Sequence, residues 1–214
     1  MATPPFQRAR SSEHKEQRRQ TILDAARTLG LRDSVRAVSL TDIAAEAGVH
    51  KSGVLRYFET REEVFLQLTA ECWGDWAAAV AEELRTPGPR VAVVLTRTLA
   101  DRPLFCDLLA HAPLHLERGV STDAVRAFKL TVLDAVDTVR TALTTALPGL
   151  TSDDAQDLVA AVTTMAAGLW QTAHPPQTLA RLYAEDPRLG HAAVDFRPRL
   201  ERTTERLLAG MGPY

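Results

Sequence analysis

Apolar residues recur at intervals of three and four along most of this chain, and nowhere do they alternate with polar ones through a β-branched run. That spacing lines one side of a helix, so it predicts helices and no sheet. Ser11 and Ser12 are candidate N-caps for a first helix that carries Ile22, Ala26 and Leu29 and ends near Gly30 to Arg32. A short second helix starts after Ser39, where Asp42 three residues on makes a variant capping box. A third covers about Lys51 to Tyr57. Thr60 caps a longer one to about Arg85, with Glu62 and Glu63 where the helix dipole favours carboxylates.

Pro87-Gly88-Pro89 breaks the pattern, and helices follow over about 91–100 and 103–111, the second with Pro103 in its first turn. Ser121 caps a long helix in which Val125, Phe128, Val132, Val136, Val139, Leu143 and Leu147 share a stripe. Another starts at Ser152, with Leu158, Val162, Met165, Leu169 and Trp170. A short helix after Pro175-Pro176 and a last one over about 196–209 complete an all-α chain.

The segment Ser39 to Phe58, SLTDIAAEAGVHKSGVLRYF, carries the most specific pattern. Two short helices joined by a glycine turn make a helix-turn-helix. Ile43 and Ala44 fall on the inward side of the first helix, and small Ala47 lies at the close approach of the pair. Gly48 suits the positive φ that ends a helix, Val49 plugs the turn and Val54 faces inward from the second helix. In this motif the second helix enters a DNA major groove with its early residues at base edges. His50, Lys51 and Ser52 stand there as short or basic donors.

Composition adds bounds. The 214 residues allow one large domain or two small ones. Two cysteines, Cys72 and Cys106, make no disulfide framework, so a reducing cytoplasm is the expected compartment. No apolar run approaches the roughly 18 residues that span a bilayer. The basic N-terminal residues lack the apolar stretch of a signal peptide. Residues 1–60 carry ten Lys or Arg against seven Asp or Glu, a net +3 against −2 for the whole chain, which leaves −5 beyond residue 60. A basic head on an acidic body suits a polyanion partner for the head.

From Ile22 to Leu68 the chain resembles the TetR-type transcriptional repressors. Residues 22–26 read ILDAA and residues 41–49 read TDIAAEAGV, and Tyr57-Phe58 is followed by Thr60-Arg61-Glu62-Glu63, all close to that family's pattern. There are departures. Gly30 stands where the family has an aromatic, Ser34 replaces a turn glycine and Val38 replaces a frequent Thr. Ser52-Gly53 replaces Gly-Thr, and Leu55 takes a position often held by tyrosine.

The resemblance implies a DNA-binding domain over 1–62, with 1–12 flexible, and a ligand-binding and dimerisation domain over 63–214. It places Thr41 and Tyr57 at phosphates and His50, Ser52 and Gly53 at the groove. Lys51 and Arg56 act as phosphate clamps, and Arg61 reaches a further phosphate. Arg8, Arg10, Lys15, Arg18 and Arg19 form a basic arm. Operator DNA, a small-molecule effector and a second copy are the implied partners, with no membrane and no cofactor. The dimer is expected through Leu158, Val162, Met165, Leu169, Leu200 and Leu207. Candidate cavity walls are Trp73, Trp76, Phe105, Leu108, Phe128, Met165 and Trp170, with Cys106, His111, His115 and His174 as polar points. The competing assignment for each aromatic is plain core packing. His111 and His115, four apart with Cys106 near, lack a completing metal motif. Neither a phosphate loop nor a nucleophile elbow is present, so no catalytic residue is expected. The alternative function is a helical small-molecule binder whose DNA-reading face has decayed.

Overall fold

The structure, a computed structural model, describes residues 5–86, 88, 90–190 and 195–212, with side chains from residue 13 onward. Helix α1 spans Pro5–Asp33, α2 Leu40–Glu46, α3 Lys51–Val54 and α4 Arg61–Leu84. Then come α5 Val91–Ala100, α6 Pro103–His111, a π-helical turn Ala112–Leu116, α7 Thr122–Ala146, α8 Ser152–Ala173, α9 Gln177–Glu185 and α10 Phe196–Gly210. The fold is all-α, with no strand among the described residues. None of the helices described is long and apolar enough to cross a membrane.

The first three helices and the start of α4 form the head. Ile22, Ala26 and Leu29 of α1, Val35 and Val38 of the following turn, Ile43 and Ala44 of α2, Val54 and Phe58 share one buried cluster with Phe65 and Leu68 of α4. Helix α4 then runs on into the body without a break. There it packs chiefly on α7, while α6 packs on α8, and α10 closes against α5 and α8. Trp73, Trp76 and Phe105 pack edge to face and tilted, with ring centroids 5.4–5.9 Å apart. The fully buried Trp76 indole donates to Thr98 Oγ1 at 3.0 Å, which removes the cost of hiding its N–H.

Several local expectations meet their structure here. Ser39 and Asp42 form both halves of the capping box, and Gly48 ends α2 with φ +64°. Thr60 and Ser121 cap α4 and α7 as their hydroxyls allow. Others are corrected. Helix α1 begins at Pro5, so Ser11 and Ser12 lie within it; the Arg-, Glu- and Gln-rich stretch after them favours helix on both sides. The expected flexibility of 1–12 falls in part on residues 1–4, outside the described residues. For α8 the expected start at Ser152 holds, with Thr151 as its capping residue. Helix α3 stops at Val54 instead of Tyr57, because Gly53 weakens the helix and the chain turns with Tyr57 N–H donating to Val54 O at 2.8 Å.

Gly30 is explained by the junction between head and body. A Cβ there would sit 2.8 Å from Leu104 Cδ1, so α6 lies against the bare backbone of α1. A side chain there has to push the Leu104 methyl aside before it can enter the neighbouring cleft. Gly30→Phe should therefore destabilise the chain by about 1–3 kcal/mol, the usual cost of overpacking, read as a lower urea midpoint. An unchanged midpoint would mean that α6 can move away from α1 at no cost.

Candidate nucleic-acid interface and cavity

Helices α2 and α3 stand on the head with their outer faces open. Thr41, His50, Lys51, Ser52 and Arg56 are exposed, Tyr57 is half-buried, and Leu55 is exposed as a lone apolar residue. His50 occupies the N-cap of α3 without a side-chain capping bond, and the capping hydroxyl of α2 belongs to Ser39, not Thr41. Gly53 is half-buried. A Cβ there would meet Val49 Cβ at 3.5 Å, so this position points toward the turn as much as outward. Beside α3, a groove of about 520 Å³ is lined by His14, Gln17, Arg18 and Thr21 of α1 and by Tyr57. Exposed Lys15 and Arg18 put cationic side chains on the outer face of α1. The side chains of Arg8 and Arg10 lie outside the described residues.

Arg61 serves another purpose than a phosphate contact. Its Nε and Nη2 donate to the carbonyls of Val38 and Val35, Nη1 pairs with Glu62 at 2.9 Å, and the guanidinium lies 4.8 Å over the Phe65 ring. The α1–α2 turn has carbonyls with no helical partner, and Arg61 satisfies two of them. It braces the head from the first residue of α4. Arg19 is similarly held, 4.5 Å over Phe58 and donating to Gln67 at 3.3 Å.

Ala at position 53 meets only ordinary contact distances, so nothing in the packing demands glycine there. Gly53→Ala should stabilise α3 by about 1 kcal/mol through helix propensity. Thermal unfolding and amide exchange in residues 51–55 read this, and a loss of stability would mean that Val49 cannot yield.

The body has a solvent-open cavity of about 540 Å³ between α4, α6, the π-helical turn, α7 and α8. Its walls are apolar, with Trp73, Leu109, Pro113, Phe128 and Val132, and its polar points are Thr164, Gln171 and an ion pair of Lys129 with Glu117 at 2.7 Å. Of the expected walls, Trp73 and Phe128 line it. Trp76 and Leu108 are buried in the core instead, buried Phe105 borders a separate pocket of about 190 Å³ beside Cys72 and Leu104, and Met165 packs half-buried against the core. The helix stripe marks them as apolar, and only the neighbouring helices decide which apolar residues meet a void. Trp170 and His174 stack with ring centroids 3.7 Å apart and line a separate cleft of about 180 Å³ at the head–body junction. Cys106 is also no polar point of the cavity: burial pushes its thiol up to about 12, and it donates to Leu99 O at 3.3 Å. Burial likewise pushes Cys72 up to about 11, so neither thiol is a ready nucleophile.

The expected dimer stripe is in part an internal one. Leu158, Val162 and Leu200 are wholly buried within the chain, while Met165, Leu169 and Leu207 are half-buried. A stripe shows that a helix has an apolar face. It does not show whether α6, α10 or another copy covers that face.

Sequence reasoning missed the group that ties head to body. Asp107, on the otherwise apolar α6, is buried, and its Oδ2 accepts from Ser34 Oγ at 2.8 Å and Val35 N–H at 2.7 Å. Its Oδ1 accepts from Gln171 Nε2 at 2.7 Å, and the buried His111 Nε2 lies 3.5 Å from the same oxygen, in ion-pair range without the alignment of a hydrogen bond. Ser34 adopts φ +71°, the conformation the expected glycine would take. A lone acid within PLFCDLLAH was the available clue.

Burial pushes the Asp107 carboxyl up, but His111, the Val35 N–H, Ser34 and Gln171 together outweigh it and hold it below the usual carboxylate value. A depressed carboxylate stabilises the fold at pH values above its unfolded pKa of about 4 and loses that contribution as pH falls through its folded value. Asp107→Asn should cost about 1–3 kcal/mol at neutral pH, with the difference from the parent chain shrinking in acid. Urea unfolding from pH 7 downward tests this; a pH-independent difference would contradict it.

Two family profiles match almost the whole chain. One, described as bacterial regulatory proteins of the tetR family, covers residues 22–68, and the other, a tetracyclin repressor-like C-terminal domain, covers residues 70–213. The HTH-type transcriptional regulator YfiR of Bacillus subtilis is 34% identical over 58 residues, which make up 27% of this chain and 28% of that protein. The chain thus aligns with little more than a quarter of that relative. The fatty acid degradation regulator FadR from Bacillus halodurans has a similar fold, with TM-score 0.58 at 13% identity over 90% of this chain and 99% of that one. A transcriptional regulator from Rhodococcus sp. Rha1 gives TM-score 0.55 at 19% identity over 92% and 98%.

Proposed function

Because the chain belongs to the TetR family of bacterial regulatory proteins, we propose that this transcriptional regulator is a repressor. It binds operator DNA as a homodimer and is released by a small-molecule effector. The observation that carries this reading is the open face of α2 and α3. His50, Lys51, Ser52 and Arg56 are exposed together on a helix pair that the Ser39–Asp42 box and Arg61 hold in shape. Base edges are read by His50 and Ser52 at the start of α3, and phosphates are held by Lys51, Arg56, Tyr57 and the N-terminal end of α2 at Thr41. Arg61 is left out of the contact set, because its donors already serve the head.

A single copy of so short a recognition helix gives little affinity. Pairing places two copies about one DNA turn apart, roughly 34–36 Å. The half-buried Met165, Leu169 and Leu207, with the outer faces of α8 and α10, are the proposed interface. The effector enters the 540 Å³ cavity, whose volume suits a small organic molecule and whose walls favour an apolar one with a few polar groups. It shifts the population toward a conformer in which the two heads are wrongly spaced for DNA. Binding, without turnover or a cofactor, is the proposed role, carried out in the cytoplasm.

The one-turn α3 and exposed Leu55 favour a second reading, a ligand binder with an atypical or lost DNA-reading face. Fluorescence anisotropy against the DNA upstream of the chain's own gene, with scrambled DNA as control over a salt series, separates the two. A repressor binds the first tightly with a steep salt slope. Lys51→Ala combined with Tyr57→Phe should then weaken binding on every sequence and reduce the salt slope by about one. Unchanged affinity and slope in that variant would sink the docking.

A further inference from the structure

Gln171 is the side chain that both the 540 Å³ cavity and the smaller junction cleft share. Its amide donates to Asp107 Oδ1 at 2.7 Å, and Asp107 Oδ2 in turn holds the Ser34 hydroxyl and the Val35 N–H of the head. One carboxylate therefore joins three pieces of the chain: α6, which carries it, the α1–α2 turn on one oxygen, and α8 on the other. The turn it holds is not relaxed. Ser34 has a positive φ that costs a non-glycine residue free energy, and a glycine would adopt it freely. The serine supplies what a glycine cannot, a hydroxyl for Asp107. The same turn presents the Val35 and Val38 carbonyls to Arg61, and it leads within four residues into the capping box of α2.

We infer that Asp107 is the joint through which occupancy of the cavity reaches the DNA-reading head, with Gln171 as the reporter of occupancy. This rests on the reading of the cavity as an effector site and deepens it. The ligand is an apolar molecule that carries a hydrogen-bond acceptor, a carbonyl or a carboxylate, placed to draw the Gln171 amide toward the cavity. Asp107 is then a buried anion with one donor fewer, a costly state that weakens its grip on the opposite oxygen's partners as the carboxylate turns. The strained Ser34 turn relaxes, and the head is freed to reorient on the body. Gln171 is exposed on its outer side, so removing it leaves the core intact.

The test reads amide exchange in the full-length protein and needs neither DNA nor the natural ligand. The Val35 N–H is itself bonded to Asp107, so it reports the joint directly. Gln171→Ala should raise exchange across residues 34–38 by about tenfold, the factor expected for a lost hydrogen bond to a charged group, and leave α7 unchanged. Gly168→Glu serves as the occupancy probe, since its carboxylate supplies the acceptor one turn from Gln171. A Cβ at Gly168 meets nothing within 4 Å, and this residue lines the cavity one turn before Gln171. It should raise exchange over the same five residues in the parent chain and add nothing in the Gln171→Ala background. Ser34→Gly supplies a third arm. It relieves the positive φ while removing the hydroxyl, and its effect on Val35 exchange should be non-additive with that of Gln171→Ala, although the two residues meet only through Asp107. If Gln171→Ala and Gly168→Glu leave residues 34–38 unchanged while Asp107→Asn raises their exchange, Asp107 is a fixed structural bond and the inference is overturned. Loss of specific DNA binding by the parent chain is registered separately by anisotropy, so failure of the repressor reading and failure of the joint are distinct results.

Discussion

A carboxylate removed from water needs donors on both oxygens, and in this chain the donors for Asp107 come from elements far apart in sequence. That need determines how the head meets the body. Ser34 and Val35 must approach α6, the bare Gly30 lets the Leu104 side chain lie close against α1, and Gln171 must end its helix turn beside the junction. Were Asp107 an apolar residue, the same surfaces could slide. As an anion it specifies one register, because any displacement leaves a buried charge without its partners.

The head is stiffened by comparable means on a smaller scale. Arg61, at the first residue of α4, takes the carbonyls that the α1–α2 turn exposes, while its guanidinium covers Phe65. Arg27 pairs with Glu71 at 2.8 Å and fastens α1 to α4 again. Since α4 continues into the body and packs along α7, any rotation of the head is transmitted along a continuous helix as well as across the Asp107 junction. Two mechanical connections therefore lead from the cavity walls to α3: one through α4, which contributes Trp73 to the wall, and one through Gln171 and Asp107.

Departures from the family pattern become legible in this frame. Ser34 in place of glycine and Gly30 in place of an aromatic look like independent anomalies along the sequence. In space they lie at the same junction: one faces Asp107, and the other leaves room for Leu104 of the helix that carries it. Gly53 is different, since no neighbour requires it, and its effect is to shorten α3 to a single turn.

Helices, caps and the helix-turn-helix were readable from the sequence because they rest on local physics: the spacing of apolar residues, a serine three residues before an aspartate, a glycine that tolerates positive φ. The same local rules place His50, Lys51 and Ser52 at the start of α3. They cannot say which apolar stripe meets which neighbour. Leu158, Val162 and Leu200 looked like an interface and are interior, and Trp76 and Leu108 looked like cavity wall and are core. Nor can they assign partners to charged groups, since Arg61 reads equally as a phosphate ligand and as a brace until Val35 and Val38 are seen beside it. The sequence by itself determined the helices and the motif, whose causes act within a few residues. Only the tertiary structure decided the cavity, the brace and the Asp107 junction, because each depends on which side chains distant parts of the chain bring within a few ångströms.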